Sequence, residues 1–263
     1  MTPTQSYLAA SRRLVETVAA QEDAIGRAAA RFATTILAGR MVHVFGSGHS
    51  RILVEEMWPR YGSFSGFNPI VELSLTFHNL VVGANGQRQA MFLENVPGLA
   101  AQILRNFALE TIDSALIVSS SGCNIVPVEM AEGFQARGVP VVAIVSRAHA
   151  DASASKRADG KKLMDFADIV LDTGAPVGDA MVAIPGMEMN VAPGSTVGGA
   201  LLVNCLKAEI ARLLTEAGEP PLALAGAVVV GAARSVEIFQ AAYDDHAHRL
   251  ARLYAAVGKD STP

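Results

Sequence analysis

The sequence predicts an α/β fold in which a parallel sheet is covered by helices on both faces and extended by further helices at each end. Three observations point there. Short β-branched runs alternate with stretches of helical periodicity, those runs lack a polar face, and 51% of the 263 residues are hydrophobic against 17% charged. Strands that alternate with helices build parallel βαβ units, and parallel strands buried on both sides read as continuous apolar runs. A chain of 27.5 kDa is expected to bury about 70% of its unfolded surface, enough for such a core.

Between residues 7 and 37 the apolar positions Leu14, Val18, Ile25, Ala29, Phe32 and Ile36 recur at intervals of three, four or seven. That is one long amphipathic helix or two in series, stopped by Gly39. Residues 41–45, 115–119, 139–146 and 168–172 read as buried strands, separated by helical stretches at 97–109 and 126–137. A helix follows from Val197 to Thr215, then a break at 218–221, then a final helix from about Val236 to Val257. The expected organisation is one domain over 1–263: an N-terminal helical extension (1–40), an α/β core (41–215) and a C-terminal helical segment (216–263). No internal repeat or low-complexity segment interrupts it.

Charge and cysteine usage narrow the function classes. Twenty-one basic and 25 acidic residues, net −4, are scattered without the basic stripe that a nucleic-acid backbone requires. Cys123 and Cys205 stand far apart, so neither a disulfide framework nor a metal site is expected and the thiols read as reduced. The first residues lack the apolar core of a signal peptide, and no run of eighteen apolar residues occurs. The expectation is a cytoplasmic protein without membrane or nucleic-acid partners.

Two strand-to-loop-to-helix junctions carry chemistry. In the first, residues 41–45 run into Gly46, Ser47, Gly48, His49 and Ser50 before a helix near Arg51. Two glycines permit a sharp turn, and a helix start leaves N–H groups for an anion; the alternative is a tight connection and nothing more. A dinucleotide fingerprint needs a third glycine where Arg51 stands. The second junction runs through Ser119, Ser120, Ser121, Gly122, Cys123 and Asn124 into a helix with Pro127 in its first turn. Hydroxyls and a helix N-terminus at a strand's carboxyl end suit a phosphate monoester held without lysines. The competing reading is a serine-rich cap in which Asn124 satisfies the helix start. Open α/β sheets bind ligands beyond the strand carboxyl ends, so the two loops are expected to share a crevice.

These two loops, with residues 138–146 closing the unit between them, resemble the sugar isomerase (SIS) domain over roughly residues 41–210. The resemblance implies a three-layer α/β/α, flavodoxin-like, five-stranded parallel sheet that binds a sugar phosphate and works as a homodimer or homotetramer without a cofactor. It assigns the phosphate to Ser119, Ser121 and Gly122 and the sugar side to Ser47 and Ser50; their place in the same loops adds Ser120 and Asn124 to the expected phosphate site and Gly46 and Gly48 to the sugar side. The family commonly has Ser or Thr where this chain has Asn124, a change that keeps a donor. Residues 187–200 with 202–204 are similar to the segment opening the long helix of N-acetylmuramic acid 6-phosphate etherase. Glu55 and Glu56, followed by Arg60 and Tyr61, resemble instead the Glu-Glu stretch of phosphoheptose isomerase.

Isomerisation of an aldose and elimination of a sugar ether both begin with removal of the proton beside the carbonyl, which needs a positioned base and a stabilised enediolate. Glu55, Glu56, Glu94 and Glu188 are the candidates. Glu56 lies near the first loop, and Glu94 follows the apolar residues Met91, Phe92 and Leu93, a setting that raises a carboxyl pKa. For each, a solvated helix face is the alternative. His49, inside the first loop, is the candidate acid; His78 reads as a satisfied histidine at a strand end, and His246 and His248 are reserves, as residues a C-terminal helix or a neighbouring subunit could supply. Trp58 reads as a sugar-facing wall, a subunit contact or core. Lys161 and Lys162 read as solvated. No nucleophile elbow or Gly-Lys-Ser/Thr loop occurs. The leading expectation is a phosphosugar isomerase, beside an etherase-like lyase and a non-catalytic phosphosugar sensor. About forty residues precede the first strand, short of the helix-turn-helix domain of SIS regulators.

Overall fold

The structure, a computed structural model, describes residues 1–76 and 87–254. Of the two N-terminal alternatives the chain takes two helices in series, α1 (Pro3–Ala19) and α2 (Glu22–Leu37). The Gln21 side chain between them explains the break. Its amide nitrogen donates to the carbonyls of Thr17 at 3.0 Å and Asp172 at 2.8 Å, and its oxygen accepts from the Asp172 N–H at 2.7 Å. The helix joint is thereby tied to the sheet.

Then follow β1 (Val42–Gly46), α3 (Arg51–Met57), β2 (Phe67–Ile70), α4 (Leu73–Thr76), α5 (Gln87–Leu93), α6 (Leu99–Leu104) and β3 (Ser114–Val118). The second half holds α7 (Ile125–Gln135), β4 (Val141–Val145), α8 (Arg147–Ala152), β5 (Ile169–Asp172), the short strands β6 (Ala180–Val182) and β7 (Val191–Pro193), then α9 (Ser195–Glu216), α10 (Ala227–Val230) and α11 (Ala232–Tyr254). Strands β1 to β5 form a parallel sheet in the order β2-β1-β3-β4-β5. This is the flavodoxin-like order, and the direction of winding reverses between β1 and β3.

Period-two alternation sorts the core into two layers. Val42, Val44, Leu116, Val118, Val142, Ile144 and Leu171 pack with α2, α3 and α9. Phe45, Ala115, Ile117, Val141, Ala143 and Val145 pack on the other side with α6 and α7. Helix α9 approaches the sheet edge because of Gly198: a Cβ there would stand 2.0 Å from the Thr173 carbonyl oxygen. At the far, amino end of the sheet, Asp113 is fully buried and accepts from Arg40 Nε at 2.8 Å and Nη2 at 2.7 Å. Burial pushes its carboxyl up, but the bonds from Arg40 and the Glu110 N–H, with His43 3.5 Å away, outweigh that and hold it at about 2.

Several sequence expectations change. Strand β2 was not foreseen: four residues containing Asn68 and Pro69 do not read as a strand, yet proline is tolerated because β2 is an edge. The β6-β7 pair is antiparallel and too short to be legible. The 97–109 stretch is helical only over Leu99–Leu104, since Gly98 is left-handed at its start. The last helix begins at Ala232 rather than Val236, and its expected end at Val257 lies outside the described residues, as does His78. Trp58 is core, 2% exposed and against the rings of Tyr243 and His246. His246 therefore faces Trp58, and His248 is exposed on α11.

Candidate functional site

At the carboxyl ends of β1 and β3 the two loops meet across a cavity of about 250 Å³. Its lining brings together Ser47, Gly48, His49 and Ser50 from the first loop, Ser119, Ser120, Ser121 and Asn124 from the second, and Glu94. Gly46 and Gly122 shape the loops without lining it. Gly46 must be glycine because a Cβ would sit 2.8 Å from the Ser50 backbone. An adjoining cavity of about 270 Å³ shares His49, Ser50 and Ser120 and extends to Thr173, Asp179, Ser195 and Thr196.

The helix start expected directly after the first loop is displaced. A 3-10 turn, Gly48–Ser50, intervenes and α3 has only seven residues, with the Ser50 N–H bonded to the Ser47 carbonyl at 3.0 Å. A short helix so placed offers little of the dipole. The second loop opens an 11-residue helix and keeps the dipole. Among the described residues no acceptor bonds the N–H groups of Ser120, Ser121, Asn124 or Ile125. The Ser120 Oγ is buried and lacks a hydrogen-bond partner, which is costly unless a ligand supplies one. Ser119 Oγ accepts from the Gly122 N–H at 3.2 Å and Ser121 Oγ from the Cys123 N–H at 3.4 Å, which hold the turn.

Asn124 is the N-cap of α7, but its side chain does not cap the helix. It supports Glu94 instead. Glu94 bridges the two loops: its Oε2 accepts from Ser47 Oγ at 2.9 Å, and its backbone carbonyl accepts from the Val126 N–H at 2.9 Å. Burial raises the Glu94 pKa, and the hydrogen bonds from Ser47 and Asn124 with the charge of Lys156 offset only part of it. Of the apolar residues before it in sequence, Met91 lines the same cavity although it is 54% exposed, whereas Phe92, 71% exposed, does not. A helix turns 100° per residue, so sequence neighbours face different ways; the crevice walls bury the carboxyl.

The other glutamates are elsewhere. Glu56 is absent from the lining of both cavities. Its carboxylate is bound by Arg60, accepts from Asn204 Nδ2 at 2.9 Å and lies 3.6 Å from Lys207 Nζ. Burial pushes its pKa up, but these partners outweigh it and leave the carboxyl below its ordinary value. Glu55 pairs with Arg51 at 2.8 Å, and Glu188 is exposed. Neither His246 nor His248 lines the two cavities.

Two residues beside the crevice escaped sequence reasoning. His149, on α8 after β4, lines the cavity with Glu94, and its Nδ1 accepts from the Gly178 N–H at 3.0 Å. Lys156, in a loop read as solvated, donates its N–H to the Cys123 carbonyl at 3.1 Å, which brings its charge near Glu94. In the same loop Lys162 is not purely solvated: its Nζ donates to the Ala150 carbonyl at 2.7 Å. The only sequence signal for His149 was its place just past a strand's carboxyl end. Asp179, which lines the second cavity, is engaged at the start of α9, accepting from the N–H groups of Gly194 and Ser195 and from Ser195 Oγ.

Known proteins agree with this architecture. The SIS domain model matches residues 6–146, from α1 to the end of β4. A UPF0309 protein of Halalkalibacterium halodurans is 35% identical over 213 residues, 81% of this chain and 86% of the relative. Another, from Streptomyces griseus, is 34% identical over 209 residues, 79% of this chain and 82% of the relative. A phosphoheptose isomerase of Francisella tularensis shares the fold at 18% identity, with a TM-score of 0.52, over 80% of this chain and 98% of its own. With its five-stranded order, its paired loops and a model match across more than half its length, the chain belongs to the SIS domain family.

Proposed function

We propose that the crevice binds a sugar phosphate and that Glu94 removes the proton beside its carbonyl, the chemistry of an aldose–ketose isomerase. The observation that carries this reading is the pairing across one cavity: open N–H groups and the unpartnered Ser120 hydroxyl on one wall, a half-buried carboxyl bonded by Ser47 on the other. The serine loop and the start of α7 take the phosphate. Glu94, with its raised pKa, is the base, since burial strengthens a carboxylate's hold on a proton. Glu56 is set aside because three partners keep its carboxylate ionised and engaged.

The proposal extends to the whole chain: 1–263 acts as one unit, in the cytoplasm, as a homodimer or homotetramer. The test is a thermal-shift screen of sugar phosphates followed by NMR of the product in deuterated water. A binding ligand raises the unfolding temperature with the logarithm of its concentration over Kd. Ketose formation with deuterium uptake that Glu94→Gln abolishes and Glu56→Gln spares supports the isomerase. Elimination products identify a lyase instead, and binding without exchange identifies a sensor. The absence of binding by every sugar phosphate overturns the reading altogether.

A further inference from the structure

We infer that His149 is the second catalytic group of this crevice, a neutral imidazole whose Nε2–H donates to the substrate oxygen on which the enediolate charge develops. The inference rests on the sugar-phosphate reading above and deepens it. Its starting point is a hydrogen bond. The Gly178 N–H donates to His149 Nδ1 at 3.0 Å, so the Nδ1 lone pair is occupied and the neutral ring carries its proton on Nε2. Among the described residues nothing accepts from that Nε2–H, while the ring lines the cavity that also holds Glu94 and the serine loop.

The ring is held from two directions. The His149 N–H donates to Ser146 Oγ at 3.2 Å, and Ser146 Oγ donates to the Ala175 carbonyl at 2.7 Å. Ser146, fully buried at the end of β4, and the loop that carries Gly178 thus fix the backbone and the ring together. Such a second layer of contacts is what a hydrogen-bond donor needs if it is to meet a developing charge without reorganising.

The chemistry balances. Glu94 takes the proton from the carbon beside the carbonyl, the C–H electron pair forms the carbon–carbon double bond, and the carbonyl π pair moves onto oxygen. His149 Nε2 gives its proton to that oxygen and takes one from the neighbouring hydroxyl, returning to its starting form. Glu94 then delivers its proton to the former carbonyl carbon, which completes aldose to ketose. A carboxylate base beside a neutral imidazole electrophile divides the work between two groups. His49, exposed at the mouth and shared by both cavities, is left for contacts to the sugar chain.

Two measurements test this. Long-range ¹H–¹⁵N NMR of the free protein, with His149 assigned by its loss in His149→Asn, is expected to show the Nε2–H tautomer; an Nδ1–H tautomer overturns the inference. Calorimetry then compares 5-phospho-D-arabinonohydroxamate, a planar enediolate mimic, with D-arabinitol 5-phosphate, which carries the same phosphate and no such oxygen. The wild type is expected to prefer the mimic by about tenfold or more, the scale of one donor aimed at an oxyanion. His149→Asn loses that preference, whereas His149→Gln, whose amide N–H reaches nearly as far as Nε2, keeps most of it. A preference unchanged in His149→Asn, with both ligands still bound, sinks the role of His149 alone. If neither compound nor inorganic phosphate binds the wild type, the sugar-phosphate reading fails with it.

Discussion

Ser47→Ala isolates how the first loop tunes the Glu94 carboxyl proposed as the base. The hydroxyl donates to Glu94 Oε2 at 2.9 Å and favours the ionised carboxyl, against a burial that favours the neutral one. Hydrogen bonds to a charged group are worth about 1.5–3 kcal/mol net. At about 1.36 kcal/mol for each tenfold change in proton binding, losing this one raises the proton affinity of Glu94 by roughly ten- to a hundredfold. Asn124 and Lys156 stay in place, and Ser47 is itself buried, so little else changes. The direction follows from the sign: a bond to the anion is removed, so the acid form gains and the base is ionised only at higher pH. Carboxyl ¹³C NMR reads the Glu94 titration without a substrate, with Glu94→Gln to assign the signal. Where turnover is available, the acidic limb of kcat/KM should move the same way. A midpoint that stays put or falls refutes the claim that Ser47 stabilises the carboxylate.

Further expectations follow from the same geometry. Ser121→Ala should weaken sugar-phosphate binding in calorimetry by about tenfold, the value of one hydrogen bond, with an unchanged circular dichroism spectrum. Gly46→Ala pushes a Cβ against the Ser50 backbone, and urea titration should show a loss of about 1–3 kcal/mol as for other overpacked sites, together with lost ligand binding. Asp113→Asn leaves the buried Arg40 guanidinium only the exposed Glu110 carboxylate, at 2.9 Å, a change that costs up to about 3 kcal/mol in denaturant unfolding, the lower end for a broken buried pair. In the wild type the Asp113 pKa is depressed from 3.8 to about 2, so its contribution is complete above pH 3.8 and is lost as pH falls toward about 2. The difference amounts to roughly 2 kcal/mol, and acid unfolding that is identical in Asp113→Asn would contradict it.

Local pattern alone was enough for the strands β1, β3, β4 and β5, for α9 and for the serine loop. Strands covered on both faces are mainly apolar, His43 and Ser114 being the buried polar exceptions in β1 and β3, and a helix start after a strand favours small, hydroxyl-bearing residues; both tendencies are written in consecutive positions. The edge strand β2 escaped because its outer side imposes no ladder, which admits Asn68 and Pro69. Closeness in sequence did not place Glu56 in the lining of the two cavities. Glu56 stands close to the first loop in the chain, yet α3 presents it to Arg60, Asn204 and Lys207.

The amino-acid sequence by itself determined the layered α/β fold, the family and the two loops that face each other, because strand burial and turn chemistry are local demands met residue by residue. Only the tertiary structure decided which acid and which imidazole join them. Glu94 reaches the crevice through a bond to Ser47, 47 positions away, and the proton on His149 is placed by Gly178, 29 positions away. Ionisation and tautomer depend on burial and on partners distant in the chain, and these exist only once the sheet has brought its strand ends together.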